Sequence, residues 1–370
     1  MRDYLRRRVE TDLSALVWTP ADTGVEVAGL KADDRPMTSA PTTAPGGHSS
    51  SGGHSPTGRR LLFAFVFAAV TVGACVLLGR RFTHTSWPLQ RAHMGFVAGA
   101  IGFYFASFVL RALGWQKLFP SVGRPGRARC LAACGAAAAS GAVLPFRLDY
   151  LVKIGTLRRL SGAKLGLEAI ALSIISLGIV DAIAFLPLSI SATATSSGSF
   201  RLPLIGVVLF GVCCCGLLVG GRQLAQLPFV ARRAQLGRLA ARVVNHPRST
   251  TREAIAAWLF LLGCWTSRAL GSTLLLAALG VGFSPPLALI VLCLSAAASL
   301  IPIASGGAIA NVSATAAILL ALGVHKDAAI NFGLASGLLL CSTAAVAAIV
   351  GVAASVAIGL RSHLAGRVAT

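Results

Sequence analysis

The sequence is short of charge. Asp, Glu, Lys and Arg make up 12% of its 370 residues, about half the share of roughly 25% usual in soluble domains. Apolar residues make up 55%, and mean hydropathy is +0.76. So few charges could not cover that apolar surface in water. A soluble enzyme, a DNA-binding module and a disulfide scaffold are excluded, and an all-α polytopic membrane protein is expected. Acids are scarcer still, 12 against 33 Lys and Arg, for a formal net charge of +21. The basic residues fall in loops between apolar runs. They therefore suit a cytoplasmic membrane face and its anionic lipids, and no nucleic-acid partner is expected.

Chemistry-bearing motifs are also missing. No Ser/His/Asp set, nucleotide-binding loop or zinc-ligand spacing is present, so neither an enzyme nor a cofactor or metal is expected. Cys75, Cys264, Cys293 and Cys341 stand alone in apolar runs, and Cys213, Cys214 and Cys215 are consecutive, which is not ligand spacing. Small apolar packing residues are the ordinary reading. Cys130 and Cys134, spaced i,i+4 at a basic boundary, are the one place where acylation is considered. His325 and His363 stand alone at span ends.

What is present falls into segments. Residues 1–34 carry mixed charge, with Leu5, Val9, Leu13, Leu16 and Val17 on one helical face, a short amphipathic helix in the cytoplasm. Residues 35–58 contain no Leu, Ile, Val or aromatic residue, so they are expected to be a disordered linker. A membrane domain is expected over 59–360, and a cytoplasmic tail over 361–370. A span needs about 20 apolar residues. Full spans are expected at 61–79, 94–113, 165–190, 202–221, 254–280 and 328–360, the last overlong and therefore tilted or broken. Two segments are too short or interrupted: 130–145, stopped by Pro145, and 285–322, broken around Pro302 and Ser305-Gly306-Gly307. Broken segments survive at membrane depth only where protein or a wet cavity shields them. The expected fold therefore has about 6–8 transmembrane helices, with two re-entrant or broken segments in an inverted two-part arrangement. Alternatively, 287–303 and 306–322 both span fully.

Basic residues cluster at 111–129, 146–164 and 222–252, which places those loops and both termini in the cytoplasm. Arg80, Arg81 and Arg91 run against this orientation. From 254 to 360 the only charges are Arg268, Lys326 and Asp327. An isolated mid-membrane Arg costs about 2.5–3.5 kcal/mol or more and needs a partner or water. Asp181 lies at the same depth, about 21–24 Å from the start of its span, so an Asp181–Arg268 pair is expected. It serves either helix packing or gating and substrate charge. Asp149 and Lys153 are i,i+4 and are expected to pair. That leaves Arg147 free for a lipid phosphate, which its planar fork suits, or snorkelling at the interface. Ser305 is placed to cap the following helix, with Gly306 and Gly307 letting backbone amides approach a ligand and Asn311 one turn further on. Gly95–Gly99, Gly216–Gly220 and Gly333–Gly337 read as helix-packing steps.

With those residues in view, the chain resembles the lysylphosphatidylglycerol synthase transmembrane region, a flippase-like family. Gly141-Ala-Val-Leu-Pro145-Phe-Arg147-Leu-Asp149, followed by Lys153 and Arg158, is similar to the family's N-x-L-P-x-R-x-G-E-x-x-R stretch. Asp181 stands where the family has the acid of E-R-x-x-D, and Pro302 to Gly323 is similar to its P-G-G-x-G segment. The likeness covers roughly 60–360. Leu148 replaces a family Gly, Gly178 and Leu177 replace its Arg and Glu, Ser305 replaces a Pro, and the late Glu falls near Asn311 or Val312.

The resemblance implies movement of an anionic or amphipathic lipid between leaflets of a bacterial plasma membrane. Ten residues follow position 360, so the soluble aminoacyl-transfer domain of the synthases is not expected. The expected function is a lipid or lipid-linked-precursor flippase. Its partners would be membrane lipids with anionic headgroups, with a homo-oligomer or membrane partner as an option. In that reading Arg147 and Lys153 hold phosphate, Asp149 and Asp181 hold a cationic group or tune those bases, and Arg268 supplies the cation missing at Gly178. The competing expectations are a non-transporting scaffold or partner subunit and a transporter of a small polar solute.

Overall fold

A computed structural model describes residues 89, 92–121, 123–142, 144, 148–161, 165–196, 198–225, 251–300 and 307–368. The segments 1–34 and 35–58, the span at 61–79, Arg80, Arg81, Arg91, Arg147, Ser305, Gly306 and most of the 222–252 loop lie outside the described residues.

The described residues are all-helical, with nine α-helices and one short 3-10 turn. They are α1 (Met94–Lys117), α2 (Arg127–Gly141), α3 (Asp149–Ser161), α4 (Leu167–Thr195), α5 (Arg201–Ala225), α6 (Thr251–Ala278), α7 (Pro285–Leu300), α8 (Gly307–Ala321) and α9 (Lys326–Val368). Five of these, α1, α4, α5, α6 and α9, are long and apolar enough to cross a membrane. They coincide with the five expected spans that lie within the described residues. The other helices are short. α2 and α8 have 15 residues each and α7 has 16, about 23–24 Å at 1.5 Å per residue against roughly 30 Å of hydrocarbon.

The last apolar stretch is one helix. α9 runs without interruption for 43 residues and takes in most of the expected tail, so of the two readings, tilted or broken, the break is ruled out. It carries both families of short segments. Toward its N-terminal end it packs on α8: a Cβ on Gly333 would meet the Val312 carbonyl at 2.8 Å, and one on Gly337 would meet the Val312 side chain at 2.9 Å. Further along it packs on α2, backbone to backbone. A Cβ on Gly135 would lie 2.5 Å from the Ala348 amide and 2.6 Å from the Ala344 carbonyl, while Gly351 presses in the same way on Ala128 and Ala132. This is the reason for the alanine-rich composition of α2: in lipid, close van der Waals contact replaces the hydrophobic drive, and only small side chains permit it. Cys130 and Cys134 are buried in α2. Their burial removes them as acylation sites.

α1 and α6 run antiparallel along their whole length. The His93 amide donates to the Ala278 carbonyl at 3.2 Å at one end. Arg124, just past α1, pairs with Glu253 in the first turn of α6 at the other. Between them the Ser267 hydroxyl donates to the Phe103 carbonyl at 2.7 Å. Gly114 and Gly271 let the backbones close in, against Leu261 and the Tyr104 ring respectively. Glycine is required at the ends of α6 and α8. Gly280 has φ 77° and Gly323 φ 83°. There the amides of Val281 and Val324 reach back five residues to Leu276 and Leu319, at 3.1 and 3.0 Å, satisfying carbonyls that the helix end would orphan. Large apolar side chains stand exposed along α5 and the later part of α9, including Leu202, Leu209, Ile349 and Ile358, as a lipid-facing surface requires.

Candidate functional site

The site begins on one face of α1. Tyr104, Ser107, Arg111 and Trp115 recur at three- and four-residue steps, so they form a single stripe down the helix. α4 and α6 pack beside it and bring Asp181 and Trp265. The Arg111 guanidinium donates to Asp181 Oδ2 at 2.7 Å, and the Trp265 indole N–H donates to Oδ1 at 2.8 Å. Each carboxylate oxygen thus has a charged or indole donor. The expected Asp181–Arg268 pair is therefore corrected: Asp181 belongs to Arg111. Position along a helix does not say which face a side chain takes, and Arg111 is the cation that reaches Asp181. Arg111 had been counted with the loop charges. It lies six residues inside α1, which runs on to Lys117.

Arg268 lies one turn beyond Trp265 on α6. Its Cζ is 5.2 Å from the Trp265 ring centroid and 5.5 Å from that of Phe108. Its Nε donates to the Ser107 hydroxyl at 3.3 Å, and Ser107 in turn donates to the Tyr104 carbonyl at 2.7 Å. The Arg111 Cζ is 6.0 Å from the same Trp265 centroid. Cation–π contacts of this kind suit a desolvated guanidinium but do not neutralise it.

Arg268 borders a cavity of about 200 Å³ bounded by α1, α6, α7, α8 and α9. Its hydroxyl lining is Tyr104, Ser272, Ser295, Thr315 and Ser336, one from each helix, with Val291, Leu292, Phe332 and Leu340 among the apolar walls. The Tyr104 and Ser272 hydroxyls are 3.2 Å apart and share one hydrogen bond. One of their two protons is therefore left to donate elsewhere.

Lys153 also turns inward. Its Nζ stands 4.2 Å over the Trp115 ring, and the residue is 6% exposed. It forms no ion pair with Asp149, so that expectation is corrected as well. Asp149 opens α3, against Gly141 at the end of α2, where an added Cβ would come within 3.3 Å of the Asp149 Cβ. Burial of the ammonium over an indole displaced the i,i+4 pair that an exposed helix would form. Lys153 lies within electrostatic reach of both Arg111 and Asp181.

Of the residues singled out from sequence, Lys153, Asp181 and Arg268 come together, joined by Arg111, Trp115 and Trp265. Asp149 stands at the α2–α3 corner. Gly307 and Asn311 fall in the first turns of α8, and Thr315, one turn beyond Asn311, reaches the cavity. The stripe on α1 was the signal that could have found Arg111. The hydroxyls carried no signal of their own, because serine and threonine are scattered through most of the apolar helices.

The carboxylates are placed with regularity. From residue 35 onward the sequence holds five: Asp149, Glu168, Asp181, Glu253 and Asp327. Asp149, Glu168, Glu253 and Asp327 each occupy the first turn of a helix, where the helix dipole favours negative charge. Asp181 alone lies within a helix, at the middle of α4. The buried cluster therefore sets three cations, Lys153, Arg111 and Arg268, against one carboxylate. Among the described residues, no group of three or more His, Cys, Asp or Glu could hold a metal ion. The chain matches no protein-family model, no curated protein and no solved structure.

Proposed function

We propose that the protein is a translocase of amphipathic lipid in a bacterial plasma membrane, with the headgroup passing through the Arg268 cavity while the acyl chains stay in the bilayer. One observation carries the reading: a guanidinium at membrane depth, bordering a hydroxyl-lined cavity of about 200 Å³, with no carboxylate among the described residues paired to it. A charge held there at a cost of about 2.5–3.5 kcal/mol or more is the usual mark of a substrate path. The two sets of short helices, α2 with α3 and α7 with α8, support the re-entrant, inverted two-part arrangement, with α9 as the element common to both. The likeness to the flippase-like transmembrane family adds to this. Both termini are placed in the cytoplasm on the strength of the basic loops.

The test is leaflet exchange. Purified protein is reconstituted with fluorescent phospholipids, and the fraction bleached by an external reductant is compared with that of empty vesicles. Wild type and Arg361→Gln should bleach the inner-leaflet pool, and Arg268→Gln should not. Bleaching no greater than in empty vesicles, with neutral and anionic lipids alike, rejects translocation and leaves a membrane scaffold or partner subunit. Uptake of a small polar solute without lipid movement would assign the same cavity to an untethered cargo, which its size also suits.

A further inference from the structure

The charges around the cavity constrain what it accepts. Arg268 uses Nε on Ser107, and its guanidinium fork carries further donors suited to a bidentate oxyanion. Asp181, the one carboxylate at depth, is held on both oxygens by Arg111 and Trp265. Beyond residue 253 the only acid is Asp327, in the first turn of α9. Among the described residues, an ammonium entering this cavity would meet a guanidinium and find no carboxylate, and a second negative charge would find no second cation on the cavity wall.

We infer that the cavity binds a singly charged oxyanion carrying no amine, with Arg268 as its counter-ion and the Tyr104–Ser272 hydroxyl pair as a further donor. This names the cargo class of the proposed translocase and rests on the cavity being its binding site. A phosphodiester bearing a hydroxylated headgroup fits. An aminoacylated or ethanolamine headgroup does not. The oxyanion can belong to a lipid or to a free solute.

The experiment measures thermal unfolding of the full chain purified in detergent, titrated separately with phosphatidylglycerol, phosphatidylethanolamine, phosphatidic acid and dimethyl phosphate. A ligand bound only by the folded state raises Tm, and saturation here should raise it by about 5 °C. Phosphatidylglycerol should give this rise in wild type, a smaller one in Arg268→Lys, and none in Arg268→Gln. A matching rise with dimethyl phosphate supports the site and shows that the anion alone suffices, whereas a rise with phosphatidylglycerol only supports a lipid source. An equal rise in wild type and Arg268→Gln overturns the inference, as does phosphatidylethanolamine or phosphatidic acid matching phosphatidylglycerol. If Arg268→Gln proves unfolded, Tyr104→Phe replaces it and should weaken the response severalfold; an unchanged response again overturns the inference. Arg268-dependent binding without leaflet exchange rejects the translocase and keeps the anion site. Exchange without such binding does the reverse.

Discussion

Two arginines stand against one indole, and they are partnered differently. Arg111 has Asp181 at 2.7 Å, with Trp265 donating to the same carboxylate. Arg268 has aromatic faces, one serine and a cavity. The first arrangement holds α1, α4 and α6 together, because a buried pair loses heavily if either partner goes. The second leaves a charge whose complement is not a side chain from the surrounding helices. A lone buried charge is a poor way to stabilise a bundle. The difference teaches that burial alone does not sort structural from functional charge in a membrane; what matters is whether the protein completes the pair.

The comparison can be broken from its closed side first. Asp181→Ala strands Arg111 and should cost about 3–5 kcal/mol, read as lost monodispersity or a lowered unfolding midpoint. Adding Arg111→Gln to Asp181→Asn should recover about 1.5–3 kcal/mol relative to the sum of the single variants. A double-mutant cycle measures this, and additivity would dissolve the pair. Trp265→Phe keeps a ring beside both arginines but removes the indole donor, at a cost of about 1.5 kcal/mol for a bond to a charged acceptor. On the open side the sign reverses. Arg268→Gln should raise the stability of the unliganded protein by about 1 kcal/mol, the relieved burial outweighing two cation–π contacts. Marked destabilisation would make Arg268 a packing residue. The smallest effect is expected from Tyr104→Phe, about 0.6 kcal/mol, typical of an interhelical hydrogen bond in lipid, measured in the same unfolding assay.

The membrane class was legible in composition, and the cores of five spans could be located because helices in lipid must be both long and apolar. The closest seam was not legible. Gly135 and Gly351 lie far apart in the chain, in an alanine-rich run and a late span, and nothing local says that they face one another. The same limit applies to the site. Asp181 and Arg268 stood out because each is alone in an apolar run, while Arg111 was hidden by its distance from the helix centre. The cavity could not be read at all, because its hydroxyls come singly from five helices. Solitary charges are visible in a membrane sequence; their partners and the spaces between helices belong to packing.

The Arg111–Asp181 pair also fixes something about how the chain is made. Its two members are 70 residues apart. At about 5–20 residues per second, Arg111 is joined to the chain roughly 4–14 s before its carboxylate exists. During that interval the newborn α1 carries an uncompensated cation. It lies six residues from the helix end at Lys117, about 9 Å along the axis, close enough for the long side chain to reach the headgroup layer. The nascent helix can wait at the bilayer surface or within the insertion machinery. Its final seat opens only when α4 is delivered, so order of synthesis becomes order of assembly.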